Sequence, residues 1–202
     1  MSMPKSRPYY TADQYLKIER GVEDRYEYRD GEIYAMAGES SAHGDISANI
    51  VIILGSQLRG KSCRVRTKDT KVRSGPAVFP GHGTRGMLSY PDVLVICGEP
   101  EFHDDHQDVI LNPKVILEVL SPATEALDRG DKFSRYQAWN PTLSDYVLVS
   151  QDRPQIEHFQ RKADGSWKYQ CHTGLQASAV LDSIQCTLPL AEVYERVTFP
   201  EG

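Results

Sequence analysis

The stretch Lys114-Val115-Ile116-Leu117-Glu118-Val119-Leu120 constrains the fold more than any other part of the chain. It is a short, unbroken apolar run, the pattern of a strand covered on both faces at the centre of an α/β sheet. A single carboxylate, Glu118, interrupts it. An ionised carboxylate in such a place loses its hydration, at a cost of several kcal/mol unless a partner or a cation compensates. Two readings follow from the residue alone. Glu118 is a buried ion-pair member or sits at the strand's open end, or it is a metal ligand or acid–base group, because perturbed carboxylates concentrate at working sites.

The rest of the chain fits one domain built around that strand. A length of 202 residues suffices for one domain with a substantial core, 1–202, in which residues 1–10 form a loose polar lead-in. No apolar run approaches the length of about 20 residues that a membrane span needs, and the N-terminus carries no apolar signal segment. The cysteines Cys63, Cys97, Cys171 and Cys186 are widely spaced and form no C-x-x-C pair. That spacing predicts neither a zinc cage nor a disulfide framework, and points to a reducing cytoplasm. The net charge of −5 argues against a surface that coats nucleic acid broadly, while leaving room for a local basic groove.

In chain order, Thr11 can cap a short helix whose apolar side is Tyr15, Leu16 and Ile18. Two tyrosine-rich arms around Asp30-Gly31 predict a β-hairpin. Ser40-Ser41 opens a helix over 42–59, with Ile46, Ile50, Ile53, Leu54 and Leu58 at helical spacing and Gly60 as its stop. Lys61 to Arg73 is the most basic part of the chain. On one strand there, Arg64, Arg66 and Lys68 share a face, either as the solvated side of an edge strand or, with Lys71, as a surface that tracks phosphates. Gly75 to Gly86 reads as a loop.

Pro91 to Cys97 is a second apolar strand, with Asp92 at its mouth and on the same face as Leu94 and Ile96. After an acidic loop and the Glu118 strand, the pattern predicts a helix over Asp128–Trp139, a third apolar strand over 145–149, a hairpin from 155 to 170, a strand over 184–188 and a short helix over 190–194. His103 and His106 in the acidic loop look metal-rich, but no third ligand of fixed spacing accompanies them. They read as part of a solvated loop.

If the Asp92 and Glu118 strands are neighbours, both carboxylates reach one point at the sheet's edge. Two close carboxylates repel unless a cation lies between them, and a hard divalent ion, Mg²⁺ or Mn²⁺, suits their oxygens. Here the chain resembles a known family. The matching pieces are Tyr26-Glu27-Tyr28-Arg29-Asp30-Gly31-Glu32-Ile33, His43, Ser89-Tyr90-Pro91-Asp92-Val93 and Leu117-Glu118-Val119-Leu120-Ser121-Pro122, then Asp128-Arg129-Gly130-Asp131-Lys132-Phe133 with Tyr136, and Asp145 to Val149. In this order they resemble the PD-(D/E)xK nuclease superfamily, and more closely its Uma-type restriction endonucleases, long filed as a domain of unknown function.

That resemblance implies a restriction-endonuclease-like α/β fold: a mixed central sheet with an αβββαβ core, an N-terminal β-hairpin and a C-terminal β-hairpin extension. It implies metal-dependent hydrolysis of DNA phosphodiester bonds, with the metal on Asp92, Glu118 and the main-chain carbonyl of Val119. The superfamily's lysine, two residues after the glutamate, is Leu120 here, and the resemblance moves its role to Lys132 on the following helix. Without the resemblance, Lys132 reads equally as an exposed helix lysine. His43, Tyr136 and Glu32 are expected in support, and Glu39 is a further candidate acid. A homodimer is expected, since single-domain nucleases of this kind often pair to cut both strands. Two other readings stand beside the nuclease: a binding module that keeps the fold without the chemistry, and a metal-dependent hydrolase of small phosphate esters.

Overall fold

The computed structural model describes residues 9–36, 38–76 and 83–199. The run that opens the sequence argument is strand β8, Val115–Leu120, buried along its whole length. It lies inside a six-stranded sheet with the order β11-β10-β9-β8-β6-β3. These strands are β3 (Cys63–Thr67), β6 (Val93–Cys97), β9 (Asp145–Ser150), β10 (Gln155–Arg161) and β11 (Trp167–Thr173). β8 pairs antiparallel with β6 and parallel with β9. The sheet is therefore mixed, and a parallel pair needs a crossover between its strands. That crossover consists of α3 (Glu125–Leu127), a π turn (Asp128–Lys132) and α4 (Phe133–Trp139).

Alternation along β8 divides the core in two. Val115, Leu117 and Val119 face a cluster with Ile46, Ile50 and Leu54 of helix α2, Ser41–Gln57. The same cluster takes in the small sheet β12 (Ser178–Leu181)–β13 (Cys186–Pro189) and α5, Leu190–Val193. Ile116 and Leu120 face the other way, against Leu94, Ile96, Tyr136, Tyr146 and Leu148. Glu118 has the parity of this second face.

The expected N-terminal hairpin is present as β1 (Tyr26–Arg29) and β2 (Glu32–Ala35). Asp30 and Gly31 both take positive φ, 45° and 95°, the turn that matches strand twist. A Cβ on Gly31 would come within 2.7 Å of the Tyr9 ring, so the tight approach needs glycine as well as the turn does. The hairpin belongs to a second, five-stranded sheet, β2-β1-β5-β4-β7, rather than standing alone. Its other strands are β4 (Lys71–Ser74), β5 (Met87–Ser89) and β7 (Val109–Ile110). Helix α1, Ala12–Glu19, closes this sheet with Ala12, Tyr15 and Leu16 packed on Tyr28, Leu88 and Val109. Thr11 caps α1 through a reciprocal pair of bonds with Gln14.

Three expectations need correcting. The basic run does not make one strand: a turn at residues 68–70 sends Cys63–Thr67 to the edge of one sheet and Lys71–Ser74 into the other. The helix expected over 128–139 opens with a π turn, and β12 was not foreseen before the last strand. Finally, Cys63 and Cys97 are disulfide-bonded. Their separation of 34 residues hides that β3 and β6 set them directly opposite one another. With that bond, cysteine spacing no longer argues for a reducing compartment. Part of the loop expected from Gly75 to Gly86 lies outside the described residues.

On a chain-entropy argument a bridge closing a loop of this length contributes roughly 3–4 kcal/mol. Reduction should lower the melting temperature, and Cys63→Ser should melt at the temperature of the reduced wild type and be insensitive to reductant. Equal melting of oxidised and reduced protein would contradict this.

Candidate active site

The last pair between β6 and β8 is Val93 opposite Leu117, and one step further along that register Asp92 lies across from Glu118. Asp92 is held from two directions. Its Oδ2 accepts the Val119 N–H at 2.7 Å, and its Oδ1 lies 2.9 Å from His43 Nε2. Ser40 caps α2 by accepting the His43 N–H, which fixes the first turn that carries this imidazole over the end of the sheet. Burial works against a charged His43, but the hydrogen bond and charge of Asp92, with Glu39 adding to them, lift its pKa above the ordinary value. His43 thus holds the Asp92 carboxylate from the α2 side.

Glu118 meets the crossover. Lys132, the last residue of the π turn, puts Nζ 3.5 Å from Glu118 Oε1. The same ammonium is 3.1 Å from Asp128 Oδ1 and 3.2 Å from Glu27 Oε1. Exposures of 3% for Glu118, 2% for Asp128, 7% for Glu27 and 5% for Lys132 exclude the surface-lysine reading. The π turn matters here because it puts Asp128 and Lys132 on one inward side of the crossover; such turns recur at functional sites. Tyr136, one turn further on, donates to Glu118 at 3.4 Å and shares a hydrogen bond of 2.8 Å with Ser89.

The site therefore gathers acids around one base. Burial raises the Glu118 pKa well above its ordinary value; Lys132 opposes this, while the charges of Asp128, Asp92 and Glu27 add to it. Asp128 is likewise raised, first by burial, with Lys132 opposing. For Lys132 burial favours the neutral amine, but Glu118, Glu27 and Asp128 outweigh it and hold the ammonium charged well above the ordinary range. The repulsion expected between Asp92 and Glu118 is thus felt at Glu118.

Two of these residues escaped the sequence reading as site members. The sequence pattern places Glu27 in a hairpin and Asp128 at the start of a helix, each within a family-like run and neither as a site member. Glu27 lies between Tyr26 and Tyr28 on β1, a strand flanked by charged residues. Its Oε1 accepts the Tyr90 N–H at 3.2 Å, which ties β1 to the residue just before Pro91-Asp92. Glu32, the supporting acid expected on this hairpin, lies elsewhere. It bonds the Tyr34 hydroxyl and lines a cleft of about 330 Å³ with Arg29, Asp30, Asp131 and Arg135.

The basic run also divides. Arg64 and Arg66 are exposed on β3, the edge of the six-stranded sheet. Lys68 pairs with Glu39. Lys71 is not a surface residue: it is 4% exposed and ion-paired to Glu19 and Asp108, each at 2.9 Å. Its charge is neutralised inside the fold, so the expected nucleic-acid contact does not hold for it. His103 lies against Arg73 and His106 against Asp104.

Among the described residues, no three His, Cys, Asp or Glu side chains form an open metal cage. The acids converge on Lys132 instead. The donor set still suits a hard divalent cation. It is all oxygen, its buried negative charge exceeds the single ammonium, and Asp128 Oδ1 is buried without an aligned hydrogen-bond donor.

Comparison with known proteins agrees with this architecture. Residues 12–191 match the model of the Uma2 family, described as "Putative restriction endonuclease". The uncharacterized protein slr1290 of Synechocystis is 34% identical over 195 residues, 95% of either chain. The uncharacterized protein sll1609 of the same organism is 31% identical over 159 residues, 78% of this chain and 84% of its own. A crystal structure from Anabaena variabilis, described as a "putative nuclease belonging to DUF820", superposes with a TM-score of 0.72. It covers 93% of this chain and 99% of its own at 15% identity, a likeness of fold.

The raised carboxylates give a pH signature. A group with a folded pKa above its unfolded one is protonated in the folded state at pH values where the unfolded chain has released the proton. Stability therefore falls as pH rises from the ordinary glutamate value of 4.5 up through the raised value. In chelator, Glu118→Gln should melt several degrees above wild type at pH 8, and the gap should close towards pH 5. A gap that widens as pH falls would contradict the site's electrostatics.

Proposed function

The chain belongs to the Uma2 family of restriction-endonuclease-like proteins, and from that premise we propose that it is a divalent-metal-dependent endonuclease that hydrolyses DNA phosphodiester bonds. The observation that carries this reading is the convergence of Asp92 just before β6, Glu118 on β8 and Lys132 from the crossover at one end of the mixed sheet. Mg²⁺ or Mn²⁺ would be held by Asp92, Glu118 and the main-chain carbonyl of Val119. When bound, such an ion supplies Lewis acidity at the scissile phosphate.

The chain's own groups have distinct parts in this proposal. His43 and the Val119 N–H fix the rotamer of Asp92, so that little reorganisation is needed when substrate arrives. Tyr136 steadies Glu118 from the α4 side. Lys132 supplies a positive charge to the phosphate as negative charge develops on it, the role Leu120 cannot fill. Arg64 and Arg66 on the exposed edge strand would follow the backbone of the DNA, confining attraction to one face of an acidic protein. A homodimer, in which two such sites meet the two strands, belongs to the same proposal.

Buried opposite charge favours this reading over a lapsed binding module. Three acids and a lysine gathered out of water are costly to keep for packing alone, and apolar residues of similar volume often stabilise such a place more. Nicking of supercoiled plasmid tests the proposal. Wild type should nick with Mg²⁺ or Mn²⁺ and not in chelator, and Glu118→Ala should lose on the order of 10³-fold in rate. The double substitution Arg64→Ala and Arg66→Ala should reduce the salt slope of DNA binding by about 2. Metal-independent nicking, or equal nicking by Glu118→Ala, would refute the proposal. Turnover of free nucleotides with duplex DNA untouched would favour the phosphate-ester hydrolase.

A further inference from the structure

Among the described residues, the ammonium of Lys132 is the cation that lies against Glu118, at 3.5 Å, and it is shared with Glu27 and Asp128 at 3.2 and 3.1 Å. All four side chains are nearly sealed from water. Without that ammonium three carboxylates would face one another in a dry place, each needing a proton or a cation. Glu118, which would receive a divalent ion, is thus already closed against a positive charge carried by the chain itself.

We propose that Lys132 is a resident counter-ion that competes with the divalent cation for Glu118. The ion and the ammonium cannot both sit against this carboxylate in a low-dielectric site, because like charges so close repel strongly. Loading therefore requires the Lys132 ammonium to leave Glu118. The lysine has a flexible four-carbon stem, so this needs rotation about side-chain bonds and no movement of the sheet. Glu27 and Asp128 keep the withdrawn ammonium charged and close by. In this way the group expected to face the phosphate becomes available only when the cation has arrived. The inference rests on the nuclease reading of Glu118 as a cation ligand and adds the order of events at that site.

Calorimetric titration with Mn²⁺ at pH 8, without DNA, tests it. Lys132→Gln removes the competitor and should bind Mn²⁺ about tenfold more tightly than wild type, or better. Glu118→Gln should bind more weakly than either. Because Lys132→Gln leaves buried acids unpaired and could unfold in chelator, a second measurement uses the wild type alone. The side-chain ammonium resonance of Lys132 in nitrogen-15-labelled wild type, followed by NMR with the diamagnetic ion Mg²⁺, should shift on saturation while those of the other lysines stay unchanged. Equal or weaker Mn²⁺ binding by folded Lys132→Gln, or a Lys132 ammonium resonance indifferent to Mg²⁺ under conditions where the wild type binds it, would overturn the proposal and leave the nuclease reading intact. Absence of Mn²⁺ binding by every variant would remove both.

Discussion

The structure turns on one dry ionic cluster: the Lys132 ammonium held among carboxylates where β1, β8 and the crossover meet. Each acid reaches it from a different element, Glu27 from β1, Glu118 from β8 and Asp128 from the π turn. Removing the ammonium would leave three buried carboxylates uncompensated, which costs far more than an exposed ion pair contributes. The cluster consequently couples the two sheets. β1 belongs to the five-stranded sheet and β8 to the six-stranded one, and Lys132 bridges them.

The topology makes this arrangement possible. A parallel β8–β9 pair obliges the chain to cross over the sheet, and the crossover lays its inward side on the face to which Glu118 points. The π turn then directs Asp128 and Lys132 inward at the crossover's start, and the following α-helical turn adds Tyr136. On the opposite face α2 is anchored by apolar packing, and only its capped first turn reaches the end of the sheet, with His43. Packing thus settles where the site lies, and polar groups at the ends of elements settle what it contains.

Much of this was legible in the sequence. An unbroken apolar run containing one glutamate already identified the central strand, because few environments tolerate that residue there. Asp92 at the mouth of the next apolar strand, the helix with isoleucines at helical spacing, and the Asp-Gly turn followed from local periodicity and turn chemistry. What stayed hidden depends on register and on partners distant in the chain. Glu27 looked like a hairpin residue because its burial comes from a second sheet that no local pattern announces. Lys71 looked like surface charge because its partners, Glu19 and Asp108, lie in separate elements. Cys63 and Cys97 became a pair only once β3 and β6 were set side by side.

The most direct measurement is a crystal structure with Mn²⁺, phased to give its anomalous scattering. The account predicts one strong peak within coordination distance of the Asp92 and Glu118 carboxylates, with the Lys132 ammonium moved off Glu118. A well-ordered site with no peak there at saturating Mn²⁺, or a peak only at acids remote from Glu118, would contradict it.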